Sequence, residues 1–186
     1  MPDPVERILR AADRLFYAQG IQAVGVEALA SEAGVSKRTL YKHFASKDAL
    51  IVAYLQRRAA RLLPSEGPPL QQLLGVFDAL ARAFGQRGFR GCPFVNAAAE
   101  LGGTGEHPAL VVVRDFKLQR RRWFEQRLHE LGVADAGMLA YQMVLLVDGA
   151  ITHSMIQGGD PQAALAARAA AQQLLAAAGV HGARRA

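Results

Sequence analysis

The sequence predicts an all-α protein of about nine helices. Apolar residues recur three and four positions apart in one segment after another, the spacing that lines one face of a helix. Gly, Pro, Ser and Asp punctuate these segments where helices start and stop. No stretch alternates apolar and polar residues as a half-buried strand does, and Ala, Leu and Arg, all good helix formers, dominate the composition.

The 186 residues are enough to bury a core without disulfides or metals, as one domain or as two small ones sharing a helix. The formal net charge is +6. Residues 1–63 hold 10 Lys and Arg against 6 Asp and Glu, and the remainder 12 against 10. The basic excess is therefore denser in the first third, where it suits a polyanionic partner. A single cysteine, Cys92, excludes an intrachain disulfide and a Cys-rich metal site; neither a metal nor a cofactor is expected. The N-terminal stretch lacks a basic segment followed by an apolar one, so no signal peptide is expected. No apolar run of about 18 residues is free of polar groups. These observations predict a soluble, cytoplasmic protein with no membrane partner.

Asp3-Pro4-Val5-Glu6 reads as a helix start, with Asp3 as cap, Pro4 in the first helical position and Glu6 closing a capping box. Ile8, Ala12, Leu15 and Phe16 come next at helical spacing, and Gly20 stops the helix. A second helix runs from Val26 to Ala33, with Val26, Leu29, Ala30 and Ala33 on one side and Gly25 as a weaker cap than Ser or Thr. Gly34-Val35-Ser36 breaks it: Gly34 admits a left-handed turn, Val35 plugs inward and Ser36 caps the next helix. This third helix spans Lys37 to Phe44, with Leu40 and Phe44 as its buried edge. Ser46 caps a fourth, whose apolar face is Leu50, Ile51, Tyr54, Leu55 and Leu62. Pro64-Ser65-Glu66-Gly67-Pro68-Pro69 reads as a linker.

Beyond it, Leu70, Leu73, Leu74, Phe77, Leu80, Ala81 and Phe84 mark a fifth helix, and Gly85 to Gly91 a loop. A short sixth helix, Pro93 to Leu101, ends at Gly102-Gly103. The seventh runs from Pro108 to Leu131 with Val112, Phe116, Trp123, Phe124 and Leu128 along it. Asp135 caps the eighth, Ala136 to about Gln157, whose middle from Met143 to Val147 is apolar on every side and is expected to be buried all round. Asp160-Pro161 starts an Ala/Leu-rich final helix that ends at Gly179.

The segments AADRLFYAQG, VEALASEAGVSKRTLYKHF and SKDAL make the stretch from Ala11 to Leu50, about a fifth of the chain, resemble the tetracycline-repressor (TetR) family of bacterial transcription regulators. RGCPFVNAAAE and LLVDGA resemble phrases found in some of its branches. The resemblance implies an N-terminal three-helix helix-turn-helix DNA-binding domain, residues 1–46. It implies a helical ligand-binding and dimerisation domain, residues 47–186, that includes a connecting helix at 47–63. Two positions depart from the family pattern. Gly25 stands where the family usually has Ser or Thr, and Arg38 where many members have Gly or Pro.

A helix that reads bases in the major groove needs polar groups at its N-terminal end. Lys37, Arg38 and Thr39 occupy that end, behind the cap Ser36; Arg38 suits bidentate recognition of guanine. Tyr41, Lys42 and His43 lie further along, and the resemblance implies that Tyr41 and His43 hold the phosphate backbone. Lys47 sits in the first turn of a helix, where a cation opposes the dipole unless an anion binds beside it. Each of these residues can equally be an ordinary surface group; their combination favours DNA. Helix-turn-helix proteins usually dimerise to engage two half-sites, so a homodimer on a palindromic double-stranded operator is expected, with the two C-terminal helices as the dimer surface. If Lys37, Lys42 and Lys47 each neutralise one phosphate per subunit, the slope of log K against log salt is roughly −5.

The resemblance also implies a small-molecule effector. Cys92, Asn96 and Glu100, four apart, share one face of the sixth helix and line either a pocket or the solvent. Phe116, Trp123 and Tyr141 are candidate pocket or core residues; Asp148, near His153, is a candidate for a ligand or for a structural pairing. Arg120-Arg121-Arg122 reads as a solvated face. Cys92 precedes Pro93 at a helix start, where a thiolate is favoured, so a redox-responsive regulator is an alternative. A nonspecific or architectural DNA-binding protein is another. An enzyme is disfavoured, because no motif sets a base beside a nucleophile and Gly102-Gly103 lacks a phosphate-loop pattern.

Overall fold

The structure, a computed structural model, describes residues 3–60, 66–104, 106–180 and 182. Among these residues the secondary structure is entirely helical: α1 (Pro4–Gln19), α2 (Val26–Ala33), α3 (Lys37–His43), α4 (Lys47–Ala59), α5 (Pro69–Phe84), α6 (Pro93–Leu101) with a short 3-10 turn after it, α7 (Pro108–Glu130), α8 (Ala136–Ile156) and α9 (Gln162–Ala177). The chain forms two compact units. One comprises Met1–Leu62 and Cys92–Phe116, the other Leu63–Gly91 and Lys117–Ala186. Helix α7 runs from the first into the second.

In the first unit α1 packs on α2, α3 and α4. Ile8, Ala12 and Phe16 of α1, Leu29 of α2, Leu40 of α3, and Leu50 and Tyr54 of α4 are all buried. Each such large side chain contributes about 1.5–3 kcal/mol. The Phe16 and Tyr54 rings meet edge-on at 5.5 Å. Two ion pairs bind α4 to α1 beside this core. Arg57 holds Glu6 through both guanidinium nitrogens (2.5 and 2.7 Å), and Arg58 holds Asp13 (2.6 and 3.1 Å) while lying over the Tyr17 ring. Glu6 is therefore drawn toward Arg57 and Arg10. The expected capping box does not form, and Asp3 makes no side-chain cap bond.

Three other caps form as expected: Ser36 accepts from the Thr39 amide, Ser46 from the Ala49 amide and Asp135 from the Met138 amide. Phe44 corrects the reading of α3. It is the extended C-cap residue (φ −131°) and only half-buried, so Leu40 alone anchors the helix in the core. Leu62, Pro64 and Ser65, expected as helix face and linker, lie outside the described residues.

In the second unit α5, α8 and α9 pack against one another. Leu73 and Phe77 of α5, Met143, Val147 and Ile151 of α8, and Ala164, Ala167 and Ala171 of α9 are all buried. Helix α8 is not buried all round. Met138, Tyr141 and Leu145 are about half exposed on one face, continued by Gly149, Thr152 and Ile156. Packing neighbours cover only part of the circumference of a helix. This explains why α8, long and apolar enough by composition to cross a membrane, is only 44% buried over its most apolar window.

The triple-arginine run also resolves differently from expectation. Arg120 is 7% exposed, whereas Arg121 and Arg122 are exposed. Arg120 falls on the same stripe as the buried Val113, Phe116, Phe124 and Leu128, three or four residues apart.

Candidate nucleic-acid interface

The turn that launches α3 is built by Gly34, whose φ of +62° lies in the left-handed region that favours glycine. The Gly34 and Val35 amides donate to the Ser31 and Ala30 carbonyls, closing the end of α2. From the other side Arg7 of α1 reaches over. Its Nε donates to the Ala33 carbonyl at 2.8 Å and its terminal nitrogen to that of Gly34. A Cβ at position 34 would stand only 2.7 Å from the same guanidinium. The backbone conformation is what favours glycine there; a Cβ would in addition displace the end of the Arg7 side chain. Arg7 was not singled out by the sequence pattern, since its partners are carbonyls that any residue possesses.

Ser36 caps α3 twice over, accepting from the Thr39 amide at 3.0 Å and exchanging a hydrogen bond with the Thr39 hydroxyl at 2.9 Å. Leu40 is fully buried, which fixes the rotation of the helix. Lys37, Arg38, Tyr41, Lys42 and His43 then face solvent, with Thr39 half-buried. Tyr41 is 47% exposed. A helix with its side chains is about 10–12 Å across, which suits a major groove about 12 Å wide.

Two of the expected DNA contacts have partners inside the protein. Lys37 is ion-paired with Glu27 in the first turn of α2. The hydrogen bond from Lys37, and then one from its own backbone amide, hold the Glu27 carboxyl below its ordinary range; the same bond raises the Lys37 ammonium. Lys47 is half-buried, with Nζ 3.4 Å from the Gln22 carbonyl oxygen. That contact offsets part of the dipole penalty of a cation in the first turn of α4.

The candidate effector residues are divided between the units. In the first, Cys92 caps α6 through its backbone and is 5% exposed, which shields the thiol from oxidants. Asn96 is half-buried. Glu100 does not line a pocket: its carboxylate accepts from the Gln22 amide at 2.9 Å, and its carbonyl from the Gln22 side chain. Gly20 (φ +99°) gives way to this carboxylate, since a Cβ there would lie 3.1 Å from it. Phe116 is buried and stacks on Phe94 at 3.8 Å. His107 accepts from the Ala109 amide at the start of α7 and lies 3.3 Å from Asp48.

In the second unit Trp123 is half-buried against Phe124, with Arg127 over its ring. Tyr141 is on the surface, with Arg121 over its ring. Asp148 is taken by Lys117 (2.6 Å to each oxygen) and by Arg120 (3.4 Å), the structural pairing of the two alternatives. A cleft of about 310 Å³ opens between the start of α8 and the end of α9, lined by Val133, Asp135, Met138, Gln142 and Leu174 among others. None of the sequence candidates lies in it, because it forms where two helix ends meet. Among the described residues no group of three or more His, Cys, Asp or Glu is placed to hold a metal.

Comparison with known proteins places this geometry. The profile of the bacterial regulatory proteins of the tetR family matches residues 8–54. A crystal structure of a putative tetR-type transcriptional regulator from Streptomyces avermitilis superimposes with a TM-score of 0.84 at 35% identity, covering 97% of this chain and 100% of that one. The chain belongs to the TetR family. A second TetR-family regulator, from Streptomyces coelicolor, matches 94% of this chain and 95% of its own with a TM-score of 0.81 at 29% identity. Among curated TetR-like relatives, an HTH-type transcriptional repressor of Mycolicibacterium smegmatis, KstR2, is 28% identical over 137 residues, 70% of this chain and 65% of that protein. An uncharacterized HTH-type regulator of Mycobacterium tuberculosis is 44% identical over 57 residues. That match spans 28% of the relative's length and 31% of this chain. The TetR profile thus covers α1 to most of α4, and the likeness of the remaining helices rests on whole-chain superposition.

Proposed function

We propose that the protein is a transcriptional repressor that binds a palindromic operator as a homodimer in the cytoplasm and is released by a small-molecule effector. In this reading residues 1–46 hold the reading head, and residues 47–186 the effector and dimerisation functions. The observation that carries it is the α3 surface: a short capped helix, fixed by Leu40 and the Gly34 turn, that turns Lys37, Arg38, Tyr41, Lys42 and His43 outward together. Lys37, Arg38 and Thr39, behind the cap Ser36, are at the end that would approach base edges. Tyr41, Lys42, His43 and Lys47 are placed to hold phosphates.

Dimerisation is supported by the apolar stripe of Met138, Tyr141 and Leu145 on α8, and Leu165 of α9 is exposed as well. Two such faces related by a two-fold axis make a four-helix bundle. The effector would be held by buried or half-buried groups of the first unit such as Cys92, Asn96 and Phe116, since the Glu100 carboxylate is engaged by the Gln22 amide. Repression is supported by the mycobacterial repressor among the relatives; another relative of that genus is an activator, FasR, so the direction of control needs its own measurement.

The test is footprinting on the DNA upstream of the protein's own gene, followed by competition with random-sequence duplex. A protected palindrome that resists competition is expected, with a specificity ratio of about a thousandfold or more. Equal affinity for random and protected DNA would instead mark an architectural protein. A transcription assay on the protected promoter then reads the direction of control.

A further inference from the structure

Glu27 is an acidic group at the edge of an otherwise basic reading surface. It stands in the first turn of α2, ten positions before Lys37, and its side chain is 70% exposed. Gly25, the N-cap of α2, provides no side-chain acceptor. The Glu27 carboxylate comes back over that helix end, 3.4 Å from where a Cβ on Gly25 would be. It also holds the Lys37 ammonium, itself 54% exposed. Lys37 is the first residue of α3, so the pair sits where the approaching groove would meet the helix.

We propose that Glu27 limits the electrostatic share of DNA binding by this protein by occupying Lys37, so that the reading surface engages phosphates with fewer cations than it carries. The inference rests on the DNA-binding reading proposed for α3. Nonspecific affinity comes almost wholly from cations that replace condensed counterions. A lysine already neutralised by a carboxylate releases none, and the carboxylate itself repels the nearest phosphate. Base contacts from Arg38 and Thr39 are untouched by this arrangement. The device therefore lowers the backbone affinity for any sequence, and its dependence on salt, while leaving direct readout intact. Three other carboxylates of the first unit pair with arginines outside α3: Glu6 with Arg57, Asp13 with Arg58, and Glu32 with Arg14.

The test uses the full-length protein and a fluorescein-labelled duplex of random sequence, with affinity followed by anisotropy as salt is varied. Lys42 and Lys47 from two subunits leave about four phosphates neutralised in the wild type, a slope of about −3.6; freeing Lys37 in Glu27→Gln raises this to about six and the slope to about −5.4. The variant should lose about tenfold more affinity than the wild type over a fourfold rise in salt, and bind more tightly at the low end. Lys37→Met should leave the wild-type slope unchanged, yet return the Glu27→Gln slope to about −3.6. Both side chains are exposed, so melting curves should coincide, and a folded Glu27→Gln protein with the wild-type slope, or with weaker binding, overturns the inference alone. A wild-type protein that binds no duplex at low salt overturns the DNA reading and this inference with it.

Discussion

Arg7 and Ala33, 26 positions apart, are joined by a hydrogen bond of 2.8 Å from the guanidinium to the last carbonyl of α2. A second bond, to Gly34, makes this one side chain the clamp that closes the helix-turn-helix from behind. Charge-assisted bonds to otherwise unfilled helix-end carbonyls are worth more than neutral ones. Arg7→Ala should lower stability by about 1–3 kcal/mol and weaken DNA binding through the turn. Arg7→Lys should recover only part, because an ammonium lacks the fork that reaches two carbonyls. Thermal denaturation of the three proteins checks the order.

The Asp148 carboxylate stands between Lys117 and Arg120, and Arg120 is almost wholly buried. Removing it in Asp148→Ala leaves two cations facing one another in the second unit. The expected cost is about 2–4 kcal/mol, below that of a fully buried pair because Asp148 and Lys117 keep some solvent. Combining the change with Lys117→Met should restore part of the loss. Urea denaturation of the single and double variants measures it.

Hydrogen bonds from Arg57 and Arg10 hold the Glu6 carboxyl well below its ordinary range, at about 2 against 4.5. Because the folded value is the lower, the stabilisation is fully present above pH about 4.5 and is lost as pH falls toward 2. Glu6→Gln should therefore be less stable than the wild type at neutral pH, and the gap should close on acidification through that window. Denaturation midpoints at a series of pH values between neutral and 3 would show parallel curves if Glu6 contributed nothing.

Leu145 is 55% exposed at the centre of the α8 stripe, between Tyr141 and Gly149. Leu145→Asp places a charge where a second copy would bury it. The expected product is a folded monomer with greatly weakened operator binding. Sedimentation equilibrium gives the mass and circular dichroism the fold; an unchanged mass would move the dimer surface elsewhere.

Helix identities and most boundaries were legible because they depend on local chemistry. Ser36, Ser46 and Asp135 cap the helices they precede, and Gly34 takes the left-handed turn that its neighbours leave to it. Misreadings came where a polar side chain had two possible partners. Local pattern turns Glu6 back on its own helix end, but a guanidinium from α4 is a stronger donor than a backbone amide and takes it. Glu100 shares a helix face with Cys92 and Asn96, yet its partner is the Gln22 amide, 78 positions away. Arg120 was readable after all, since its place on the stripe of Val113, Phe116 and Phe124 outweighs its charged neighbours in sequence.

The reading surface itself divides the same way. Residue types and helical spacing alone determined that α3 is short, capped by Ser36 and anchored by Leu40, with its cations outward. Which of those cations are unoccupied depended on tertiary structure. Arg7 on the back of the turn, Glu27 on Lys37 and the Gln22 carbonyl beside Lys47 are meetings between elements distant in sequence. A helix cap is set by dihedral angles a few residues apart, whereas an ion pair between helices exists only once packing has chosen their separation and rotation.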